Sequence, residues 1–172
     1  MPMARHFSNN RLKVAVTALL FVATTLPQVA TATTATGQFG VSLTIQAECK
    51  LQSAGNLSFG TDGVLDTVIT STSALSVQCT NGTTYAVGLD AGAGAGATTS
   101  VRRMTAAGAT LTYALYRDSN RTQLWGDVVA TDTFGGTGNG SAQTVTVYGS
   151  VPVQSTPAAG AYTDTVQVTV TY

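Results

Sequence analysis

Carboxylates and thiols are the side chains of this 172-residue chain whose type and spacing could support chemistry. Asp62 with Asp66, and Asp127 with Asp132, have the composition of a two-carboxylate glycosidase site. However, Asp62 lies in an Asp-Gly turn signature, and the other three flank strand ends, where aspartate commonly caps turns. Nucleophilic catalysis by serine or cysteine needs a histidine base, and the single histidine falls in the leader described below. The sequence therefore predicts no catalytic residues and no enzyme.

Cys49 and Cys79 are the two cysteines of the chain. In an exported protein such a pair favours one disulfide, and two buried free thiols are the alternative. Closing a loop of about 31 residues stabilises the fold by roughly 3–4 kcal/mol in the loop-entropy model. No third cysteine accompanies the pair, so we predict neither a metal site nor a cofactor.

Aromatic and basic side chains offer two further kinds of site. Trp125 and the tyrosines could stack on a sugar, but a lone tryptophan in a small β domain is more often a core residue. Arg102 and Arg103 form the one basic pair, and the 8 basic residues are balanced by 8 acidic ones, so no nucleic-acid partner is predicted. The glycine-rich stretches at 91–97 and 136–140 lack the features of a phosphate loop and are predicted to be flexible surface loops.

Residues 1–32 have the features of a secretory signal peptide. Three basic residues precede an apolar run at 14–26. That run is about 13 residues long, whereas a bilayer span needs about 20. Cleavage is expected after Ala32 or, as a second choice, after Ala30. We therefore predict an exported mature chain that does not insert into a membrane.

Alternation of apolar and polar residues recurs along the mature chain and predicts strands. A period of two places one face of a strand in the core and the other in water. Turn signatures such as Asn81-Gly82 separate the runs, and short strands with this punctuation favour an antiparallel β-sandwich. The alternating runs are 39–45, 75–79, 85–89, 111–115, 145–147 and 165–172.

The two ends of the mature chain are its most informative parts. The chain stops at Tyr172, inside its strongest strand pattern, and a Thr/Ala/Gly-rich stretch at 33–37 precedes the alternating segment 38–45. A sandwich that ends on a strand can lack its closing strand, and proteins normally cover such an edge. One remedy is donation of a strand by another chain. On pattern alone, residues 39–45 are equally a donor strand or the first strand of this domain.

Several motifs resemble those of the spore coat protein U domain, over nearly all of the mature chain. The most specific are Leu57-Ser58-Phe59-Gly60 and the tail Pro157-x-x-Gly160-x-Tyr162-x-Asp164-Thr165-Val166-x-Val168-Thr169-Val170-x-Tyr172. The other matching motifs are Cys49, Val77-Gln78-Cys79-Thr80-Asn81-Gly82, Arg103-Met104, Leu111-x-Tyr113-x-Leu115-Tyr116-Arg117-Asp118, Trp125-Gly126 and Val147-Tyr148-Gly149.

That family includes the subunits of archaic chaperone–usher pili. The resemblance implies an incomplete immunoglobulin-like antiparallel β-sandwich that lacks its last strand and is completed by donor-strand complementation. It divides the chain into a signal peptide at 1–32, an N-terminal donor-strand extension at 33–45 and a pilin sandwich at 46–172. The donor boundary is placed near residues 43–45, and 33–37 is expected to act as a hinge between subunits.

The resemblance also implies which side chains would serve strand donation. The donor residues would be Phe39, Val41, Leu43 and Ile45. The C-terminal strand flanking the acceptor groove would contain Tyr162, Val166, Val168, Val170 and Tyr172.

The implied function is that of a structural subunit of a cell-surface pilus that supports adhesion or biofilm formation. Its partners would be copies of itself or related pilins, a periplasmic chaperone and an outer-membrane usher. The chain would pass through the periplasm to the surface of a Gram-negative bacterium. The alternatives are a spore-coat or extracellular matrix protein of the same family, or a carbohydrate-binding tip subunit.

Overall fold

A computed structural model describes residues 28–172, so most of the predicted signal peptide lies outside the described residues. The chain divides into two units, one ending at Ser42 and the other running from Leu43 to Tyr172. Residues 28–48 contain no helix or strand. No helix in the described part of the chain is long and apolar enough to cross a membrane.

Eight strands in two antiparallel sheets make up the second unit. The strands are β1 (Cys49–Ala54), β2 (Ile69–Cys79), β3 (Thr84–Leu89), β4 (Arg102–Ala106), β5 (Ala109–Tyr116), β6 (Phe134–Thr137), β7 (Ala142–Val151) and β8 (Val168–Thr171). A five-stranded sheet has the order β1-β2-β7-β5-β4, and a three-stranded sheet has the order β6-β3-β8. All strand pairs are antiparallel. The predicted all-β sandwich is confirmed.

The alternating runs at 75–79, 85–89, 111–115 and 145–147 lie in β2, β3, β5 and β7, as predicted. The C-terminal run is a strand only at 168–171, so the strand predicted from 165 to 172 is shorter than expected. The run at 39–45 is not a strand, and its apolar side chains are exposed.

The apolar faces of the two sheets meet in one core. Val77 from the larger sheet and Val87 from the smaller sheet are both fully buried. Trp125 is also fully buried, and its indole N–H donates to the Val87 carbonyl at 2.8 Å. Trp125 therefore occupies the core and cannot present its ring to a sugar.

The predicted disulfide is present between Cys49 and Cys79. The two residues are direct partners in the register of β1 and β2, and Cys79 is 1% exposed. The bond thus joins the first residue of the edge strand β1 to the last residue of the neighbouring strand β2.

Arg102 lies in the core, although the sequence indicated only a small basic pair. Its guanidinium donates four hydrogen bonds of 2.8 Å to main-chain carbonyls, which belong to Leu89, Asp90, Thr99 and Trp125. Burial lowers the pKa of the guanidinium, while nearby acidic groups oppose that shift. Arginine nevertheless keeps its proton in proteins, so a buried cation joins β4 to the end of β3 and to two loops.

Candidate binding groove

A groove of about 830 Å³ opens between the segment 54–62 and the C-terminal segment 160–168. The groove reaches the hydrophobic core, because core side chains form its floor. These floor residues are Leu65, Leu75, Leu89, Leu111, Tyr113, Leu115, Val147 and Val151. An opening of this depth in a small sandwich leaves core surface that a further element could cover.

The C-terminal wall of the groove is a sheet edge. β8 is the last strand of the three-stranded sheet and pairs only with β3 among the described residues. Asp90 N–H donates to the Gln167 carbonyl at 3.1 Å, whereas Leu89, opposite Val168, donates its N–H away from β8 to Gly126. By antiparallel alternation, the main-chain groups of residues 166, 168 and 170 therefore face the open edge.

The side chains of this wall alternate with the same period. Tyr162, Asp164, Val166, Val168 and Val170 are half-buried, and the residues between them are exposed. The wall thus offers both a row of unpaired main-chain groups and a row of incompletely covered apolar side chains. These two features together are what an added β-strand requires.

The opposite wall packs two apolar side chains against the larger sheet. Leu57 and Phe59 approach Gly149 of β7 so closely that a Cβ at that position would lie 2.9 Å from each side chain. The ring of Phe59 meets the ring of Tyr113 edge-on at 6.2 Å. Ser71 Oγ donates to the Ser58 carbonyl at 2.6 Å and holds this wall to β2. The Leu-Ser-Phe-Gly motif therefore builds one side of the groove.

The site residues named from the sequence lie in three places. Tyr162, Val166 and Val168 line the groove, and Val170 packs against the core. Tyr172 is 60% exposed beyond the end of β8. The alternating side chains of the N-terminal segment are 70–87% exposed; they are Phe39, Val41, Leu43 and Ile45.

A polar cluster at the groove was not found from the sequence. Tyr113 Oη donates to Asp164 Oδ2 at 2.6 Å, and the N–H groups of Ala93 and Thr165 donate to Asp164 Oδ1 at 2.8 Å. Burial raises the pKa of the Tyr113 hydroxyl, and its hydrogen bond to Asp164 raises it further. The signal in the sequence was the position of Asp164, which occupies an inward place in an otherwise apolar alternation.

The aspartate pairs considered as a glycosidase site lie in turns. Asp62 accepts the N–H of Gly63 at 2.7 Å, and Asp132 accepts the N–H of Val128 at 2.8 Å. Among residues 28–172, no cluster of three or more histidine, cysteine or acidic side chains is placed to hold a metal ion. The groove is therefore taken as the candidate binding site of the described chain.

Comparisons with known proteins agree with this architecture. The two-sheet fold is similar to that of a chain in the crystal structure of the CsuC–CsuE chaperone–tip adhesion subunit pre-assembly complex, from archaic chaperone–usher Csu pili of Acinetobacter baumannii, with a TM-score of 0.54 and 22% identity. That match covers 75% of this chain and 40% of the solved chain. Protein U of Myxococcus xanthus is 35% identical over an alignment of 179 positions, which covers 95% of this chain and 99% of that protein.

The model of the Spore Coat Protein U domain matches residues 35–169. The chain belongs to the spore coat protein U domain family, and the resemblance drawn from its motifs is confirmed.

Proposed function

We propose that this chain is a structural subunit of a surface pilus, in which each subunit is completed by a strand donated by its neighbour. The open groove is the observation that carries this proposal. Core side chains form its floor, and one wall is a sheet edge with no partner strand among the described residues. Family membership and the similarity to a pilus-subunit fold support the same function.

The donor segment in this proposal is the N-terminal extension 33–45. Its four alternating apolar side chains are exposed, so they are free to enter the groove of another subunit. Burial of such a side chain contributes about 1.5–3 kcal/mol, and four give about 6–12 kcal/mol as an upper value. That is comparable to the whole stability of a typical domain, about 5–15 kcal/mol.

The hinge between subunits lies after the donor residues in this arrangement. Thr80 Oγ1 contacts the Gln46 carbonyl and accepts the N–H of Glu48, each at 3.1 Å, and the Thr80 N–H donates to the Glu48 carbonyl at 2.9 Å. The sandwich therefore holds the chain from residue 46 onward. The stretch 33–37, expected to be the hinge, would instead be the free end of the donor segment.

A periplasmic chaperone is a partner in this proposal, because an exposed core groove must be covered before assembly. The fold similarity to a protein solved in a chaperone–subunit complex supports that partner. Passage through the periplasm, an outer-membrane usher, polymerisation with copies of the chain or related pilins, and a role in adhesion or biofilm complete the proposal. No cofactor and no catalytic step are involved.

Substitution of one donor residue tests the proposal. Val41→Asp would bring an unpaired carboxylate into an apolar groove, which is strongly unfavourable. Ser42→Asp is the matched control, because residue 42 would lie on the opposite face of the donated strand. We expect the producing cell to lose its fibres with Val41→Asp and to keep them with Ser42→Asp, as counted by negative-stain microscopy. Normal fibres with Val41→Asp, at an unchanged level of exported chain, would contradict the proposal.

A coat or matrix protein of the same family is the second candidate. The 35% identity to Protein U over 95% of the chain favours it. Immunogold labelling of the intact cell separates the two candidates, because a pilus subunit labels thin projecting fibres and a coat protein labels a continuous layer.

A further inference from the structure

We propose that Asp164 is a positioning residue that, with Tyr113 and the Ala/Gly loop at 91–97, holds the C-terminal wall of the empty groove where a donated strand can pair with it. This inference rests on the proposed function and assigns a role to a loop and a carboxylate that strand donation alone does not explain.

Little regular sheet pairing holds the wall between residues 162 and 167. β8 begins only at Val168, and the preceding segment makes one main-chain hydrogen bond, from Asp90 to the Gln167 carbonyl, and one isolated bridge, between Thr163 and Thr105 of β4. The two hydrogen bonds of that bridge are 2.9 and 3.2 Å long. This segment nevertheless forms the groove lining on the side of the open edge. Something other than a strand ladder must therefore keep it in place.

Asp164 supplies the central attachment. Its carboxylate accepts hydrogen bonds from the Tyr113 hydroxyl, the Ala93 N–H and the N–H of the adjacent Thr165. The first bond joins the wall to β5, and the second joins it to the Ala/Gly loop. Hydrogen bonds to an ionised acceptor are shorter and stronger than neutral ones. One carboxylate thus attaches the wall to two separate parts of the sandwich.

The loop needs its glycines in order to reach the wall. Gly92 has a φ of +80°, and a Cβ at this position would overlap the Asp164 carboxylate. A Cβ at Gly94 would overlap the main chain of Arg103. The stretch predicted to be a flexible surface loop is therefore packed between the wall and β4. The glycines at 92 and 94 follow from this close approach.

Both ends of the loop are fixed as well. Arg102 donates to the Asp90 and Thr99 carbonyls, which flank the loop. Asp90 Oδ1 accepts the N–H of Gly92 and that of Gln167, both at 2.9 Å. Gln167 is thus a second point at which the loop region holds the wall. The buried guanidinium of Arg102 thus closes the base of the loop. The loop region bonds to the wall through the carboxylates of Asp90 and Asp164.

The role of this arrangement follows from the cost of ordering a binding edge. A donated strand binds a wall that is already in place without that cost, whereas a disordered wall must be ordered on binding. If the wall were in place one tenth of the time, the apparent Kd of the donor would rise about tenfold. The attachment by Asp164 therefore acts on the empty groove, before the donor itself can hold the wall.

Peptide binding to the full mature chain tests the inference. The chain carries Val41→Asp, so that under the proposed function it accepts a strand but does not donate one, and the probe is a labelled peptide of residues 38–46. We expect Asp164→Ala to raise the Kd of the peptide about tenfold. In the empty chain it should also speed hydrogen exchange of the amides at 163–170. Asp62→Ala is the control, since Asp62 also lines the groove but accepts only the N–H of its neighbour Gly63.

Each outcome decides a different point. An unchanged Kd with a lowered unfolding midpoint would make Asp164 a purely structural residue and overturn the inference. If Asp164→Ala does not fold, Tyr113→Phe replaces it, with an expected rise in Kd of about fivefold for one lost hydrogen bond; an unchanged Kd there overturns the inference equally. No peptide binding to the chain that retains Asp164 would overturn the proposed function itself.

Discussion

At the residue scale, the buried guanidinium of Arg102 is the side chain that departs most from its expected place. Its four hydrogen bonds all go to main-chain carbonyls, so no carboxylate shares its burial as a direct partner. Without this guanidinium, four carbonyls would lose a donor, and each buried group left unpaired costs about 1–3 kcal/mol. Arg102 therefore acts as a multiple hydrogen-bond donor that closes one end of the core.

Replacement of Arg102 by lysine tests this role. An ammonium group is a single point of charge and cannot reach four carbonyls that the planar guanidinium spans. We expect Arg102→Lys to lower the free energy of unfolding by about 2–4 kcal/mol, measured by urea denaturation of the mature chain. Arg103→Lys is the control, because Arg103 makes one exposed hydrogen bond to Ala95, and its effect should stay within about 0.5 kcal/mol. Equal effects of the two substitutions would contradict the assignment.

Individual residues could be predicted where chemistry limits the choices. Two cysteines in an exported chain allow one disulfide, and a lone tryptophan is large enough to favour the core. The places of Arg102 and Asp164 could not be predicted, because they bond mostly to groups far away in the chain. Arg102 bonds to four main-chain carbonyls, and Asp164 bonds to the Tyr113 hydroxyl and the Ala93 N–H. Such partners leave no mark in the sequence, although both residues occupy inward positions of their alternations.

At the element scale, alternation predicted those strands that have one face in the core. β1, β4 and β6 escaped prediction for different reasons. β4 is short, and its one fully buried position is an arginine, Arg102, so its inward face is not uniformly apolar. β1 is almost entirely exposed and has a register irregularity between Leu51 and Ser53. β6 contains Gly136, which the ring of Tyr85 approaches too closely for a side chain. The C-terminal run is shorter as a strand because its first half is held by side chains instead of a partner strand.

The disulfide is the covalent link between an exposed edge strand and a central one. Replacing both Cys49 and Cys79 by serine should lower the free energy of unfolding by roughly 3–4 kcal/mol, since the unfolded chain is then released from the closed loop. Urea denaturation with and without a reducing agent measures this loss. The reductant should destabilise the native chain and leave the double variant unchanged. A native chain that is insensitive to complete reduction would contradict the expectation.

At the scale of the whole molecule, the proposed function requires a strand from elsewhere to complete the sandwich at the groove. The resemblance of the motifs supplied this expectation, since period-two patterning alone left residues 39–45 open between two roles. Patterning identifies which faces are apolar, but it does not tell which chain covers them. The groove itself follows from the arrangement of both sheets and could not be located before the strand order was known.

Fusion of the donor segment to the other end of the chain tests the incomplete sandwich. A chain without residues 33–45, which carries residues 38–46 after Tyr172 behind a short flexible linker, can fold the added strand back as an antiparallel hairpin against β8. We expect a monomer whose free energy of unfolding exceeds that of the unfused sandwich by several kcal/mol, up to about 6–12 kcal/mol. Light scattering and urea denaturation measure the two properties.

The same fusion with Val41→Asp in the added copy is the control. We expect this control to be neither monomeric nor more stable to urea than the unfused sandwich. A fused chain that is no more stable than its control would show that the groove does not take this segment.

The position of the disulfide determines how a fibre of such subunits would carry tension. When residues 38–45 of one subunit are seated in the groove of its neighbour, pulling force would enter the donating subunit through residues 46–48 and reach Cys49. The disulfide passes that force directly to Cys79 at the end of β2, a central strand with a partner on each side. Load is then shared along two strand ladders, and the edge strand β1 is not peeled away one hydrogen bond at a time. A reduced fibre would therefore yield at β1 under a smaller force.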